Sequence, residues 1–168
     1  IMNEQGIRQG HWKEFYRDGQ VSAEGDYSNG KKVGGWKFYY PDGTLEQEGF
    51  YNPDGQLDGL WKWYYPAGTL HREEYYRNDL ADGRSVEYDE NGKVVSSGEY
   101  IEGNEEGFWF YDIDGSREEG AYRNGLRNGS WTSYYQDGQL RFTGDFIDDN
   151  PNGKHIYYWG DGKLREEG

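Results

Sequence analysis

Few side chains in this sequence are equipped for covalent or acid–base chemistry, and they are scattered. There are three histidines, His11, His71 and His155, and no cysteine. A catalytic centre needs an acid, a base or a nucleophile converging on one reacting atom. The histidines fall in different copies of an internal repeat and at different positions within it. The absence of cysteine removes a thiol nucleophile, a disulfide framework and a Cys-based zinc site. Asp148-Asp149-Asn150-Pro151-Asn152-Gly153 fits the opening of a calcium loop, with oxygen ligands at alternate positions and a glycine at the sixth. The twelfth position, where such a loop needs a bidentate Glu, is Trp159. Asn, Asp, Pro and Gly in succession are turn formers, and an inter-hairpin turn is the reading we adopt. No metal, cofactor or enzymatic activity is expected.

What the chain has in quantity is rings: 7 Trp, 17 Tyr and 7 Phe, 18% of the sequence. Leu, Ile, Val and Phe together make up only about 15%, a level that with this charge reads as disordered unless aromatics supply the core. Each buried ring removes about 150–250 Å² from water, so a folded chain built on aromatics is expected. Two columns of rings emerge on alignment. One holds Trp12, Trp36, Trp61, Trp109 and Trp131; the other holds Phe15, Tyr39, Tyr64, Tyr88, Tyr134 and Tyr158. The Trp column is expected to clamp adjacent strands. Tyr39, Tyr64, Tyr88, Tyr134 and Tyr158 are the candidate partner-binding strip, because solvent-facing Tyr is favoured in protein contacts. Lys13, Lys37 and Lys62 recur in one half of the repeat and Glu24, Glu48 and Glu73 in the other, as expected for cross-strand ion pairs on a solvated face.

The elements that position these columns are set by the repeat. Units open at Gly10, Gly34, Gly59, Gly83, Gly107, Gly129 and Gly153, after a partial unit at 1–9, and residues 1–168 form a single repeat domain. Each unit reads G-x-W, an aromatic pair, an Asp-Gly-type turn, and then E-G-x-Y-x-N-G. Asp-Gly or Asn-Gly between alternating apolar residues is a strong hairpin signal. The class is therefore all-β: an elongated, antiparallel, single-layer sheet of about seven tandem hairpins, on the order of 65 Å long at about 4.8 Å per strand. Stretches such as Asn29-Gly30-Lys31-Lys32-Val33-Gly34 are expected to turn the chain from one hairpin to the next.

Two registers are open. A two-residue Asp42-Gly43 turn puts Trp36 across from Gly49. A three-residue Pro41-Asp42-Gly43 loop pairs Tyr39 with Leu45, and places Leu45 and Tyr51 on the face opposite Trp36. The prolines favour the second in the two units that contain one. Three units depart from the pattern: Ser85 stands in the Trp position, Glu74 replaces the second-strand Gly, and the unit at Gly107 is two residues short.

Ala23-Glu24-Gly25-Asp26-Tyr27-Ser28-Asn29-Gly30 and Glu119-Gly120-Ala121-Tyr122-Arg123-Asn124-Gly125 resemble one half of a MORN repeat. Trp36-Lys37-Phe38-Tyr39-Tyr40-Pro41-Asp42-Gly43 is similar to the bacterial variant in YwqK-type antitoxins. The resemblance implies hairpin-sheet architecture and a role as scaffold, partner-binding surface, antitoxin or immunity protein.

Charge narrows the partner. With 18 Lys and Arg against 32 Asp and Glu the net charge is −14, which disfavours nucleic acid and anionic membrane surfaces and complements a basic protein. No apolar run is long enough for a membrane-spanning helix, and direct insertion is not expected. The sequence expectation is thus a non-enzymatic module that binds another, basic protein, concretely an antitoxin or immunity protein for a basic toxin, in the cytoplasm or the bacterial cell envelope. The alternatives are a carbohydrate- or choline-binding aromatic module and a structural subunit of an envelope assembly. The unfinished repeats at either end point to a longer array.

Overall fold

The computed structural model describes residues Ile1–Gly168. Fourteen strands make up the fold, and there is no helix: β1 (Gly10–Phe15), β2 (Val21–Ser28), β3 (Lys31–Tyr39), β4 (Leu45–Tyr51), β5 (Leu57–Tyr64), β6 (Leu70–Arg77), β7 (Leu80–Tyr88), β8 (Val94–Ile101), β9 (Asn104–Ile113), β10 (Ser116–Arg123), β11 (Leu126–Tyr134), β12 (Leu140–Ile147), β13 (Asn150–Tyr158) and β14 (Leu164–Glu167). They pair in sequence order in one open antiparallel sheet. Two compact units can be distinguished. The first is Ile1–Asp82 with Tyr88–Lys93, and the second is Gly83–Glu87 with Val94–Gly168. Each is described by itself below.

The hairpin turns follow from local chemistry. At Pro41-Asp42-Gly43 the Tyr40 amide donates to the Thr44 carbonyl at 2.8 Å, and the Gly43 amide to the Tyr40 carbonyl at 2.9 Å. Gly43 takes φ 89°, the left-handed conformation that closes a three-residue loop. The Asp42 carboxylate accepts the Thr44 amide at 2.9 Å, which fixes the turn from inside. The same pair of backbone bonds recurs at Tyr16/Gly19, Tyr65/Gly68, Asp89/Gly92, Tyr135/Gly138 and Trp159/Gly162, so the loop does not depend on proline. The hairpin β9–β10 differs. Ile113 pairs directly with Ser116 around Asp114-Gly115, both at positive φ, a two-residue turn.

Both candidate registers occur together in one hairpin. Tyr39 pairs with Leu45 next to the loop, Trp36 pairs with Gly49 farther along, and Glu46 is the extra residue between them. Side chains alternate faces with period 2, so one extra residue exchanges the faces. Leu45 therefore lies on the Lys37 side, opposite Trp36, whereas Tyr51 lies on the Trp36 side, contrary to the three-residue register drawn without a bulge. β9–β10 carries neither the third loop residue nor the bulge, which accounts for its two missing residues.

The expected linker loop is also corrected. Asn29-Gly30 is a two-residue turn with φ 50° and 78°, and Lys31 to Gly34 already belong to β3. Gly34, at φ 68°, opens a bulge. Between the pairs Glu24–Lys37 and Asp26–Val33, Gly34, Gly35 and Trp36 of β3 face Gly25 alone. The bulge lays the indole across the previous hairpin. All seven unit-opening glycines share the positive φ, which is why the repeat demands Gly two places before the ring.

Candidate functional site

One face of each unit is a spine of interleaved rings. In the first unit Trp12, Tyr27, Trp36, Tyr51 and Trp61 follow one another at centroid distances of 6.0, 5.1, 6.4 and 5.0 Å, each pair edge to face. In the second, Tyr100, Trp109, Tyr122 and Trp131 do the same at 4.9, 6.2 and 5.0 Å. Edge-to-face geometry sets a positive ring edge on a negative ring face. Trp36, Trp61, Trp109 and Trp131 are buried. Their indole N–H groups donate to the carbonyls of Asp26, Phe50, Glu99 and Ala121 at 3.0–3.1 Å. Trp12, on the first strand, is half-buried and donates instead to the Gln9 carbonyl at 3.1 Å. Cations roof this face: Lys32 stands 4.6 Å above the Trp36 ring and Arg127 4.0 Å above Phe146.

His155 occupies the Trp position of the last unit and makes the equivalent contact, its Nε2 2.8 Å from the Asp145 carbonyl. His11 pairs with Asp26 at 3.0 Å, and His71 stacks on Tyr65 at 4.3 Å. The structure thus places the three histidines on β1, β6 and β13, in separate surroundings. Asp148-Asp149 form a two-residue turn with φ 48° and 66°. Asp148 accepts from Arg123 at 3.1 Å and Asp149 from Arg127 at 3.2 Å, so arginines occupy the carboxylates of the calcium-like sequence.

The opposite face carries the polar columns. In the first unit, cross-strand pairing sets Lys13, Glu24, Lys37, Glu48, Lys62 and Glu73 side by side over β1 to β6, an unbroken alternation of charge. Tyr39 and Tyr64 lie beside this ladder, half-buried, and their hydroxyls donate to Glu24 and Glu48 at 2.7 and 2.8 Å. Tyr88 donates to Glu73 at 3.1 Å. Burial first, and the neighbouring carboxylates second, push the Tyr39 and Tyr64 hydroxyls up to about 12 from their ordinary value near 10. The Tyr39 hydrogen bond, ahead of the Lys13 charge, in turn holds the Glu24 carboxyl below its usual range. Lys13 reaches Glu24 at 3.5 Å. Among the described residues Lys37 and Lys62 make no ion pair, because the facing carboxylates are turned to tyrosine. Over Gly25, Gly35 and Gly49, which carry no side chain, lies an open groove of about 570 Å³ bounded by Lys13, Lys37, Lys62 and Leu60.

Sequence reasoning missed the tyrosine that directly follows the first strand of four hairpins, Tyr16, Tyr40, Tyr65 and Tyr135. The hydroxyls of Tyr16, Tyr40 and Tyr65 donate to the carbonyls of Tyr39, Tyr64 and Tyr88 in the following hairpin at 2.5–2.7 Å, and Tyr135 does so to Tyr158 at 2.7 Å. The recurrence of this tyrosine at the repeat period was the available signal.

The second unit has no charge ladder. Its row at the same height reads Ser97, Phe110, Glu119, Thr132, Thr143 and Ile156. Beside it Glu99 stands directly across from Glu106, and Phe108 and Ile101 are 63% and 53% exposed. Tyr134 lies on this face with the Arg117 guanidinium 4.4 Å above its ring, and Tyr158 pairs with Leu164 at the end of β13.

Residues 8–29, 32–52, 57–78, 81–102 and 127–148 match the family described as MORN repeat variant. Each match spans a hairpin, and the short β9–β10 hairpin falls between two of them. No curated protein matches the chain. Among solved structures, a crystal structure of the GtfA/B complex bound to UDP and GlcNAc is similar at 20% identity and a TM-score of 0.25. The similarity covers 63% of this chain and 21% of that one, so the chain spans about a fifth of its length.

Proposed function

Since the chain belongs to the MORN repeat variant family, whose repeats are interaction and scaffold modules, we propose that it is a non-enzymatic protein-binding module whose partner is a basic protein. The observation that carries this reading is the pairing of Glu99 with Glu106 beside the exposed Phe108. Like charges directly opposite on neighbouring strands cost stability, and a partner that brings Lys or Arg to them relieves that cost. Exposed rings among carboxylates add an apolar contact that excludes water around the ion pairs. The net charge of −14 steers a basic partner to the protein. An antitoxin or immunity protein that masks a basic toxin is the concrete form of this reading. Tyr134 and Tyr158 extend the surface on the same face, and Tyr39, Tyr64 and Tyr88 occupy the corresponding positions of the first unit. A glycan or choline platform requires rings open to solvent, whereas Trp36, Trp61, Trp109 and Trp131 are buried in the spine.

The test compares capture from a lysate of the source organism by the wild-type chain and by the E99K/E106K/F108A variant. The reading expects one basic protein retained by the wild type, released by salt and lost with the variant. Equal retention by both chains would remove this surface from the proposal. Co-expression with the captured protein then tests whether the chain suppresses its toxicity.

A further inference from the structure

We infer that the charge ladder of the first unit is a homotypic docking face, which receives the same face of a second copy of this chain. The ladder reads Lys, Glu, Lys, Glu, Lys, Glu from β1 to β6. Reversed, it reads Glu, Lys, Glu, Lys, Glu, Lys. A two-fold axis parallel to the strands and midway between β3 and β4 exchanges β1 with β6, β2 with β5 and β3 with β4. It therefore sets Lys37 against Glu48, Lys62 against Glu24 and Lys13 against Glu73 of the other copy, six opposed pairs with no like-charge contact. An isologous interface requires such self-complementarity. The ammonium groups of Lys37 and Lys62, without an ion pair inside the chain, gain one in the dimer.

The rows flanking the ladder obey the same operation. Phe50, 47% exposed, comes over Gly35, where a Cβ would meet no atom within 4 Å and the groove floor is open. Tyr39 comes over Leu45 and the 60% exposed Phe15 over Leu70, apolar against apolar, while His11 comes over Tyr75 and Asp26 over the stretch from Asp58 to Leu60. Six strands at about 4.8 Å and three rows at about 6.8 Å cover roughly 600 Å² per copy. That lies at the lower end of specific interfaces and fits a reversible dimer rather than an obligate one. Net charge opposes association at long range, and an ionic strength of about 0.15 M screens it beyond about 8 Å while leaving direct contacts.

Sedimentation equilibrium of the full chain at that ionic strength, over a range of concentrations, provides the test. The expected result is a concentration-dependent shift from 19.6 kDa to twice that mass. K37E and E48K alone each create two like-charge contacts across the axis and are expected to raise the dissociation constant at least tenfold. Mixing the two variants sets the new carboxylate at position 37 of one chain against the new ammonium at position 48 of the other. The mixture is expected to restore the dimer, which an ion pair within one chain does not do. The K37E/E48K double variant, which keeps opposite charges facing each other across the axis, is expected to dimerise as the wild type does. Circular dichroism checks that every variant is folded. A wild-type chain that remains monomeric up to about 1 mM, or a mixture that fails to recover the dimer, overturns the inference.

Discussion

The Trp36 indole lies against the backbone of Gly25 so closely that a Cβ added to the glycine would come within 2.4 Å of the ring. Gly49 under Trp61, Gly98 under Trp109 and Gly120 under Trp131 stand in the same relation, at 2.0–2.2 Å. Ring and bare backbone are one device. Two of the sequence departures fall together on its two positions: the chain that places Ser at 85 instead of Trp also places Glu at 74 instead of Gly.

The glycine under the ring and the glycine before it fail for different reasons. Gly25→Ala is expected to overpack the spine, at a cost of about 1–3 kcal/mol or more. Gly34 has nothing within 4 Å of a prospective Cβ but holds φ 68°, so Gly34→Ala costs only the left-handed strain, about 1–2 kcal/mol. Asn tolerates that conformation, and Gly34→Asn is expected to recover part of the loss, whereas Gly25→Asn is not. Thermal melts of the four variants check this; equal effects of Asn at both sites would contradict it.

Removing the ring leaves a cavity in the spine. Trp36→Ala is expected to destabilise the first unit by about 3–5 kcal/mol. An unchanged melting temperature would take the Trp column out of the structural reading.

Each Tyr40-type hydroxyl ties one hairpin to the next through a backbone carbonyl. Tyr40→Phe removes the 2.6 Å bond to the Tyr64 carbonyl while keeping the ring, and is expected to cost about 0.5–1.5 kcal/mol. Denaturant titration monitored by circular dichroism measures it. Faster hydrogen exchange on β5 than on β1 would place the loss at that junction.

Alkaline pH reports on the tyrosine–glutamate contacts. The folded-state values of Tyr39 and Tyr64, about 12, lie above the ordinary value near 10. Between these limits the unfolded chain loses the proton and the folded chain keeps it. Their contribution is therefore fully present below about pH 10 and is lost as pH rises toward 12. The melting temperature is expected to fall over that window, and the Y39F/Y64F variant to fall less. At the acid end the sign reverses for Glu24. Its depressed carboxyl contributes above the usual glutamate range, and that contribution is lost as pH falls through the lower folded value.

Local chemistry was enough to determine the hairpins from the sequence. An Asp-Gly or Asn-Gly turn acts over three or four residues, and rings at a 24-residue period have to recur at one height of consecutive hairpins, so the all-β class and the strand order were legible. The face of each ring was not. Glu46 is a one-residue bulge that shifts the side chains on its two sides to opposite faces of the sheet, so Leu45 and Tyr51 part company although both follow the same turn, whereas the bulge at Gly34 adds two residues and keeps the alternation. The hydroxyls of Tyr39 and Tyr40 were equally unreadable, because one finds a carboxylate in the hairpin before it and the other a carbonyl in the hairpin after it. Those partners lie 15 and 24 residues away, in neighbouring hairpins that pack through Trp36 over Gly25 on one side and through Trp61 over Gly49 on the other. The alternating charges of Lys13 to Glu73 could be counted in the sequence, but their alignment into one row was decided by the register that the bulges impose.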